Sequence, residues 1–297
     1  MKKLLLGLLI SAAGSFGANA QIFWKISNPD SKTESYLLGT HHLAPLSMLD
    51  SISGFADAMA KVEAVAGEID MADMLRQAPT LAGHMLAPAD SALTCVLSAA
   101  GLDSLGMVMS KYMGPQFNAA QLAPLKPAAV TTQIALLESL SAMGTEQAQA
   151  IAQGKQLDSE VQNRALAAGK TVIAFETADE QMSLLMGAPI SEQAEQLMKA
   201  IGQSLDGTSS KNAIKLTEAY LSQNLDAIAE LMLNSESSPK ELDRLIYNRN
   251  KNWATKLTSE ILPSKSVLIA VGAGHLPGEQ GLIELLRNAG YTVSPVK

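Results

Sequence analysis

The sequence predicts an α/β fold: a central mixed sheet built from the N- and C-terminal segments, with a large helical insertion between them. Three observations carry this. Strand-like apolar runs lie near both ends of the 297-residue chain, SYLLGT at 35–40 and SVLIAVG at 266–272. The middle, from about 78 to 260, repeats apolar residues at helical spacing, as in GLDSLGMVMSKYM and PAAVTTQIALLESL, broken by Gly and Pro. Within that stretch one short run, TVIAFE at 171–176, follows the helix-ending Ala168-Gly169-Lys170 and reads as a buried strand.

In chain order, the first twenty residues, MKKLLLGLLISAAGSFGANA, stand apart. Lys2 and Lys3 form a basic start, Leu4 to Ile10 an apolar core, and Ala18-Asn19-Ala20 a small-x-small cleavage site. That is the pattern of a secretory signal peptide, so residues 21–297 are expected as one exported domain, periplasmic or secreted. QIFWKISNPDSKTESYLLGT then reads as a β-hairpin: Phe23 to Ile26, a turn at Asn28-Pro29-Asp30-Ser31, and a return strand from Ser35 to Leu38. A helix is expected from about Asp50 to Lys61, followed by an apolar strand over Val62 to Ile69, VEAVAGEI. DGTSSK at 206–211 has the composition of a short disordered stretch. Gly281 to Ala289 is expected as a helix and Tyr291 to Pro295 as a closing strand.

Composition narrows the function classes. At 47% hydrophobic and 17% charged, the chain is globular rather than disordered. After the leader no apolar run reaches the roughly 18 residues a membrane helix needs, so no transmembrane segment is expected. A net charge of -7 and a pI near 5.2 argue against nucleic acid and anionic membrane surfaces as partners. Cys95 is the only cysteine, which rules out an intrachain disulfide, and its apolar setting predicts a small buried residue. The fourteen methionines read as core filler.

Two segments share one design. SYLLGTHH and SVLIAVGAGH each run a buried strand into Gly-x-x-His: Gly39 to His42, and Gly272 to His275, with Gly274 inside the second loop. In open α/β sheets, ligands bind outside the carboxyl ends of the strands. A glycine there is expected to let the chain turn, and the following histidine to point back over the strand end. Two such loops on adjacent strands would bring His42 and His275 together. Glu68, in VAGEID, and Glu176, ending TVIAFE, are acids at further strand ends. Imidazoles and carboxylates together suit zinc and other first-row metals, with an open position for water. The plainer reading stands beside this one: a loop histidine with a satisfied hydrogen bond, and acids that cap the next helix. His41 is expected to line the site or face solvent, and His84, in LAGHML, to be structural.

Several segments together resemble the TraB/GumN family, also called the TIKI family. They are FWKIS…SYLLGTHHL, LKPAAV, LDSEVQNRALAAGKTVIAFETADEQMSLL, LIYNRNKNWATKL and VLIAVGAGHLPGEQGLIELLRNAGYTV, in the family's order and over most of the chain after the leader. The resemblance implies a fold related to erythromycin esterases and to haem-binding ChaN-like proteins. It also implies the activity of the animal members, a metal-dependent protease supported by manganese or cobalt. The family's Gly-x-x-His pair and early glutamate map onto Gly39, His42, Gly272, His275 and Glu68. Arg249 and Asn250, in YNRNKNW, and Glu176 also fall on family motifs. His41 departs from the isoleucine common at its position.

The expected function is therefore a divalent-metal hydrolase acting on peptides or proteins. His42, His275 and Glu68 would hold Mn, Co or Zn, Glu176 or Glu68 would take the proton, and Arg249 would bind a substrate carboxylate or the oxyanion. Two rivals remain. One is a metal-independent hydrolase using the same groups for acid-base chemistry; the other is a periplasmic protein that binds haem, metal or peptide without turnover.

Overall fold

A computed structural model describes residues 21–28, 33–233 and 238–296. The expected leader, residues 1–20, and residues 29–31 of the expected turn lie outside the described residues. Six strands form one sheet: β1 (Phe23–Ser27), β2 (Glu34–Thr40), β3 (Ala64–Gly67), β4 (Thr171–Ala174), β5 (Val267–Gly272) and β6 (Thr292–Pro295). Their order is β4-β3-β5-β2-β1-β6. The β4, β3, β5 and β2 strands pair in parallel, while β1 is antiparallel to both β2 and β6. The sheet is mixed, as expected, and the four parallel strands all end on one edge.

The central strands are largely apolar because helices cover both faces. Every residue of β3 is buried, as are Ser35 to Thr40 of β2 and Val267 to Val271 of β5. Around the sheet, Leu37, Leu38, Val65, Leu268 and Ile269 pack with Leu157, Val161, Trp253 and Leu257 in one core. The insertion has a second core of its own, in which Leu105 and Met109 meet Val130, Ile134, Leu197 and Ile201. Those residues come from three long helices, Ala99–Met113, Pro127–Ser141 and Ile190–Asp206.

Three expectations about local structure are corrected. The helix expected over 50–61 is broken into Met48–Ser51 and Phe55–Lys61. Ile52 turns extended and Gly54 takes a left-handed φ of 76°, which buries both Ile52 and Phe55 where a continuous helix could not. DGTSSK is ordered: Gly207, at φ 77°, joins the helices Ile190–Asp206 and Thr208–Leu221 at a tight corner. Cys95 is exposed, because the short helix Leu93–Val96 turns Leu93 and the following Leu97 inward and leaves the opposite face to solvent. Among the described residues, no helix is long and apolar enough to cross a membrane.

Candidate functional site

The four parallel strand ends carry the candidate side chains in a row. Glu176 follows β4, Glu68 follows β3, His275 follows β5, and His41 and His42 follow β2. The β2 and β5 strands stay in register to their last residues, Thr40 opposite Gly272, so the two Gly-x-x-His loops leave the sheet side by side. Close approach explains the first glycine. A Cβ on Gly39 would lie 3.0 Å from the Ala273 Cα, against the backbone of the neighbouring loop. Neither Gly39 nor Gly272 has a positive φ, so the sharp-turn role expected of them is replaced by this packing role.

Arg249 ties the β4, β3 and β5 ends together. Its Nη2 donates to Glu68 Oε2 at 2.6 Å and also to Glu176 Oε1, and its Nε donates to Glu176 Oε2 at 3.2 Å. Nη1 donates to the Leu245 carbonyl at 3.0 Å and meets His275 Nε2 at 3.3 Å. A guanidinium has five N–H groups, and these contacts use all of them. Arg249 therefore has no donor left for a substrate in this arrangement, contrary to the role expected for it. Gln181 adds a second bridge, donating Nε2 to Glu68 Oε2 at 3.1 Å and to Glu176 Oε1 at 3.2 Å.

The tautomer of His275 follows from Asn250. Nδ2 of Asn250 donates to the carbonyls of His275 and Gln280, at 3.2 and 2.8 Å, so Oδ1 faces the ring. That oxygen is 2.7 Å from Nδ1, which must carry the proton, leaving a lone pair on Nε2. Burial pushes His275 down to about 4, with the Arg249 charge adding to the effect and Glu68 opposing it. Glu68 is also buried, which on its own would raise it. The His275 ring, the Arg249 cation and the Gly272 N–H, which donates to Oε1 at 2.9 Å, outweigh burial and hold it at about 2. Trp253 floors the group. Its ring lies 4.6 Å from that of His275 and 5.4 Å from that of Phe175, with the Arg249 guanidinium 4.5 Å above it.

His42 belongs to a different pair. Its Nδ1 is 3.0 Å from Asp158 Oδ2, while Asp158 Oδ1 accepts a hydrogen bond from the Thr40 hydroxyl at 2.7 Å. Asp158 pushes His42 up to about 9, and the charge of Glu68 adds to the rise. The His42 side chain is 61% exposed, and its Nε2 is turned away from Asp158. Among the described residues no hydrogen bond or ion pair joins His42 to His275 or Glu68. His41 is a wall residue. The Thr217 hydroxyl donates to Ala213 at 3.0 Å and so accepts from His41 Nε2 at 3.2 Å, and burial lowers His41 to about 4. Its ring leans on Tyr220, whose hydroxyl donates to the Gly39 carbonyl at 2.9 Å. His84 Nε2 lies 2.7 Å from Asp179 Oδ1. Gly274 packs against the flexible end of the Met232 side chain.

The structure thus brings together Glu68, Glu176, Arg249, Asn250 and His275, and sets His42 beside them on its own carboxylate. The donor set expected for a metal is only partly assembled. Glu68 Oε1 and His275 Nε2 are 3.8 Å apart, but the Arg249 guanidinium lies against both residues and His42 faces Asp158. Among the described residues no three His, Cys, Asp or Glu side chains are spaced to hold an ion. A resident metal does not fit this arrangement of side chains. Asp158, Gln181 and Trp253 escaped the sequence reading. Trp253 had one available signal, its i,i+4 spacing from Arg249 on a single helix face. Asp158 is one acid among 29, in the first turn of the helix Leu157–Ala167, and nothing local marks it.

A family model described as TraB/PrgY/gumN family matches residues 22–295. No curated protein and no solved structure gives a significant match.

Proposed function

Given that this chain belongs to the TraB/PrgY/gumN family, we propose that it is an exported hydrolase of peptide-type carbonyl bonds, working by acid-base chemistry at the strand-end row. One observation carries the reading: two histidines on adjacent strand ends are driven in opposite directions, His42 up to about 9 and His275 down to about 4. Environments that push paired titratable groups apart assign the acid and the base. At neutral pH His42 is charged, and its Nε2 proton can pass to the leaving atom of the substrate. His275 is neutral, with its lone pair on Nε2. Once Arg249 Nη1 turns its N–H away from Nε2, a water held on the spare lone pair of Glu68 Oε1 would give its proton to that nitrogen as it attacks the carbonyl. Glu68 then stabilises the imidazolium formed. Arg249 keeps Glu68 ionised, Arg249 and Gln181 fix Glu68 and Glu176 in place, and Asn250 fixes the His275 tautomer.

The test is hydrolysis of a fluorogenic peptide and ester library by the purified protein. His42→Ala and His275→Ala should each lower kcat by about 10²-fold or more, the usual weight of a general acid or base, with folding retained. Unchanged turnover in both variants would reject the reading. A metal-assisted form of the same hydrolysis is favoured by one contact, the 3.8 Å approach of Glu68 Oε1 to His275 Nε2. It requires Arg249 to withdraw and His42 to leave Asp158. Activity that disappears on chelation and returns with Mn, Co or Zn would select it.

A further inference from the structure

Arg249 spends every donor on the protein, yet Arg244, five residues earlier, spends none. The Arg244 Nε is buried without a hydrogen-bond partner, and among the described residues no hydrogen bond or ion pair reaches any of its nitrogens. A buried donor left unpaired costs about 1–3 kcal/mol, so an orphan guanidinium calls for an explanation. Its position supplies one. Arg244 lines a cavity of about 850 Å³ together with Leu185, Pro189, Pro239, Leu245 and Asn248. Leu245, whose carbonyl accepts from Arg249 Nη1, is shared between this cavity and the Arg249 network, while none of Glu68, Glu176, Arg249, His42 or His275 lines the cavity.

The backbone between the two arginines is specialised. Asp243–Tyr247 is a π-helical turn, closed by the Asn248 N–H donating to the Asp243 carbonyl. An i→i+5 turn is wider than an α-turn and sets residue i+5 about one turn above residue i. In an α-helix, residues 244 and 249 would point to different faces. Here Arg249 faces the carboxylate pair and Arg244 opens into the adjoining cavity, one widened turn away.

We propose that Arg244 anchors a carboxylate of the substrate, so that the protein prefers peptides carrying one negative group. This rests on the hydrolase reading given above. A guanidinium matches a carboxylate through two parallel N–H···O contacts, which gives direction as well as attraction. The cavity wall also carries Glu192, Glu195, Glu241 and Asp243. Lys240 neutralises Glu192 in an ion pair at 2.5 Å, and none of the other three pairs with Arg244. These acids outnumber Arg244 and Lys240 and disfavour a multiply charged anion such as phosphate more than a single carboxylate, and they favour a carboxylate carried on a peptide with a basic group beside it.

Binding is measured by calorimetry on the His42→Ala protein, so that turnover does not consume the probe. Acetyl-Ala-Lys with a free C-terminal carboxylate is compared with its amide, and acetyl-Glu-Lys-amide with acetyl-Gln-Lys-amide. The first pair reads a terminal carboxylate and the second an acidic side chain. One acidic member should bind about 10-fold or more tightly than its neutral partner. Arg244→Gln should abolish the preference, and Arg244→Lys should keep part of it. Equal binding within both pairs, or a preference that survives Arg244→Gln, overturns the anchor. Because the preference is first read with Arg244 intact, a poorly folded Arg244 variant does not spare the proposal. Hydrolysis without carboxylate preference would sink the anchor and leave the hydrolase; carboxylate preference without hydrolysis by the unsubstituted protein would do the reverse.

Discussion

At the scale of single residues, Asp158 decides what His42 can do. It lies nine-tenths buried, accepts the Thr40 hydroxyl on Oδ1 and places Oδ2 at ion-pair distance, 3.0 Å, from His42 Nδ1 without hydrogen-bond geometry. Replacing it by Asn removes the charge that keeps His42 protonated, so the His42 pKa should fall from about 9 toward the ordinary 6.5, read by NMR titration of the ring. The same variant should lose kcat at neutral pH with KM nearly unchanged, because His42 no longer starts as an acid. A His42 pKa that stays near 9 in Asp158→Asn would dismiss Asp158 from this role. Arg249 calls for a different measurement. It lies between two buried carboxylates, and Arg249→Ala leaves both without their cation, a loss of about 3–5 kcal/mol in denaturant unfolding. A loss below about 1 kcal/mol would mean that solvent reaches the pair.

At the scale of elements, the site is the shared edge of four parallel strands, and its tolerance is set by how closely two loops approach. Gly39→Ala places a methyl 3.0 Å from the Ala273 backbone, which cannot yield as a flexible side chain could. The expected cost is about 1–3 kcal/mol of stability, with a larger loss of activity than the His41→Ile substitution, which changes only a wall of the loop. This is also where the sequence was most legible. An apolar run ending in Gly-x-x-His, met twice, was enough to locate β2, β5 and the convergence of their loops, because strand period and strand-end placement are local signals. Glu68, Glu176 and His275 follow from the same logic. The pairing of His42 with Asp158 was not legible, because it joins residues 116 positions apart through the packing of one helix on the sheet. The break at Gly54 lies inside a helical pattern and the corner at Gly207 inside a disorder-like composition, and in both places only the surrounding packing says that the chain turns there.

At the scale of the whole molecule, a sheet core carries the candidate site and a helical core stands beside it, sharing the long middle of the chain. Leu197→Ala, in the helical core, should cost about 2–5 kcal/mol while the His42 and His275 titrations stay unchanged, since none of its core neighbours belongs to the strand-end row. Shifted titrations in that variant would show that the two cores respond as one. Export is a whole-chain property too: expressed with residues 1–20 in a Gram-negative host, the protein should be recovered from the periplasm beginning at Gln21, as N-terminal sequencing would read. The central claim, however, is that one charged and one neutral imidazole act together across the row, and the most direct measurement is kcat/KM against pH on exhaustively chelated protein. His275 must be neutral, so activity should fall as pH drops through about 4; His42 must be charged, so activity should fall as pH rises through about 9. The predicted result is a bell between those limits whose alkaline limb moves down by more than one pH unit in Asp158→Asn. Chelated protein with no activity at any pH, or an alkaline limb that Asp158→Asn does not move, would contradict it.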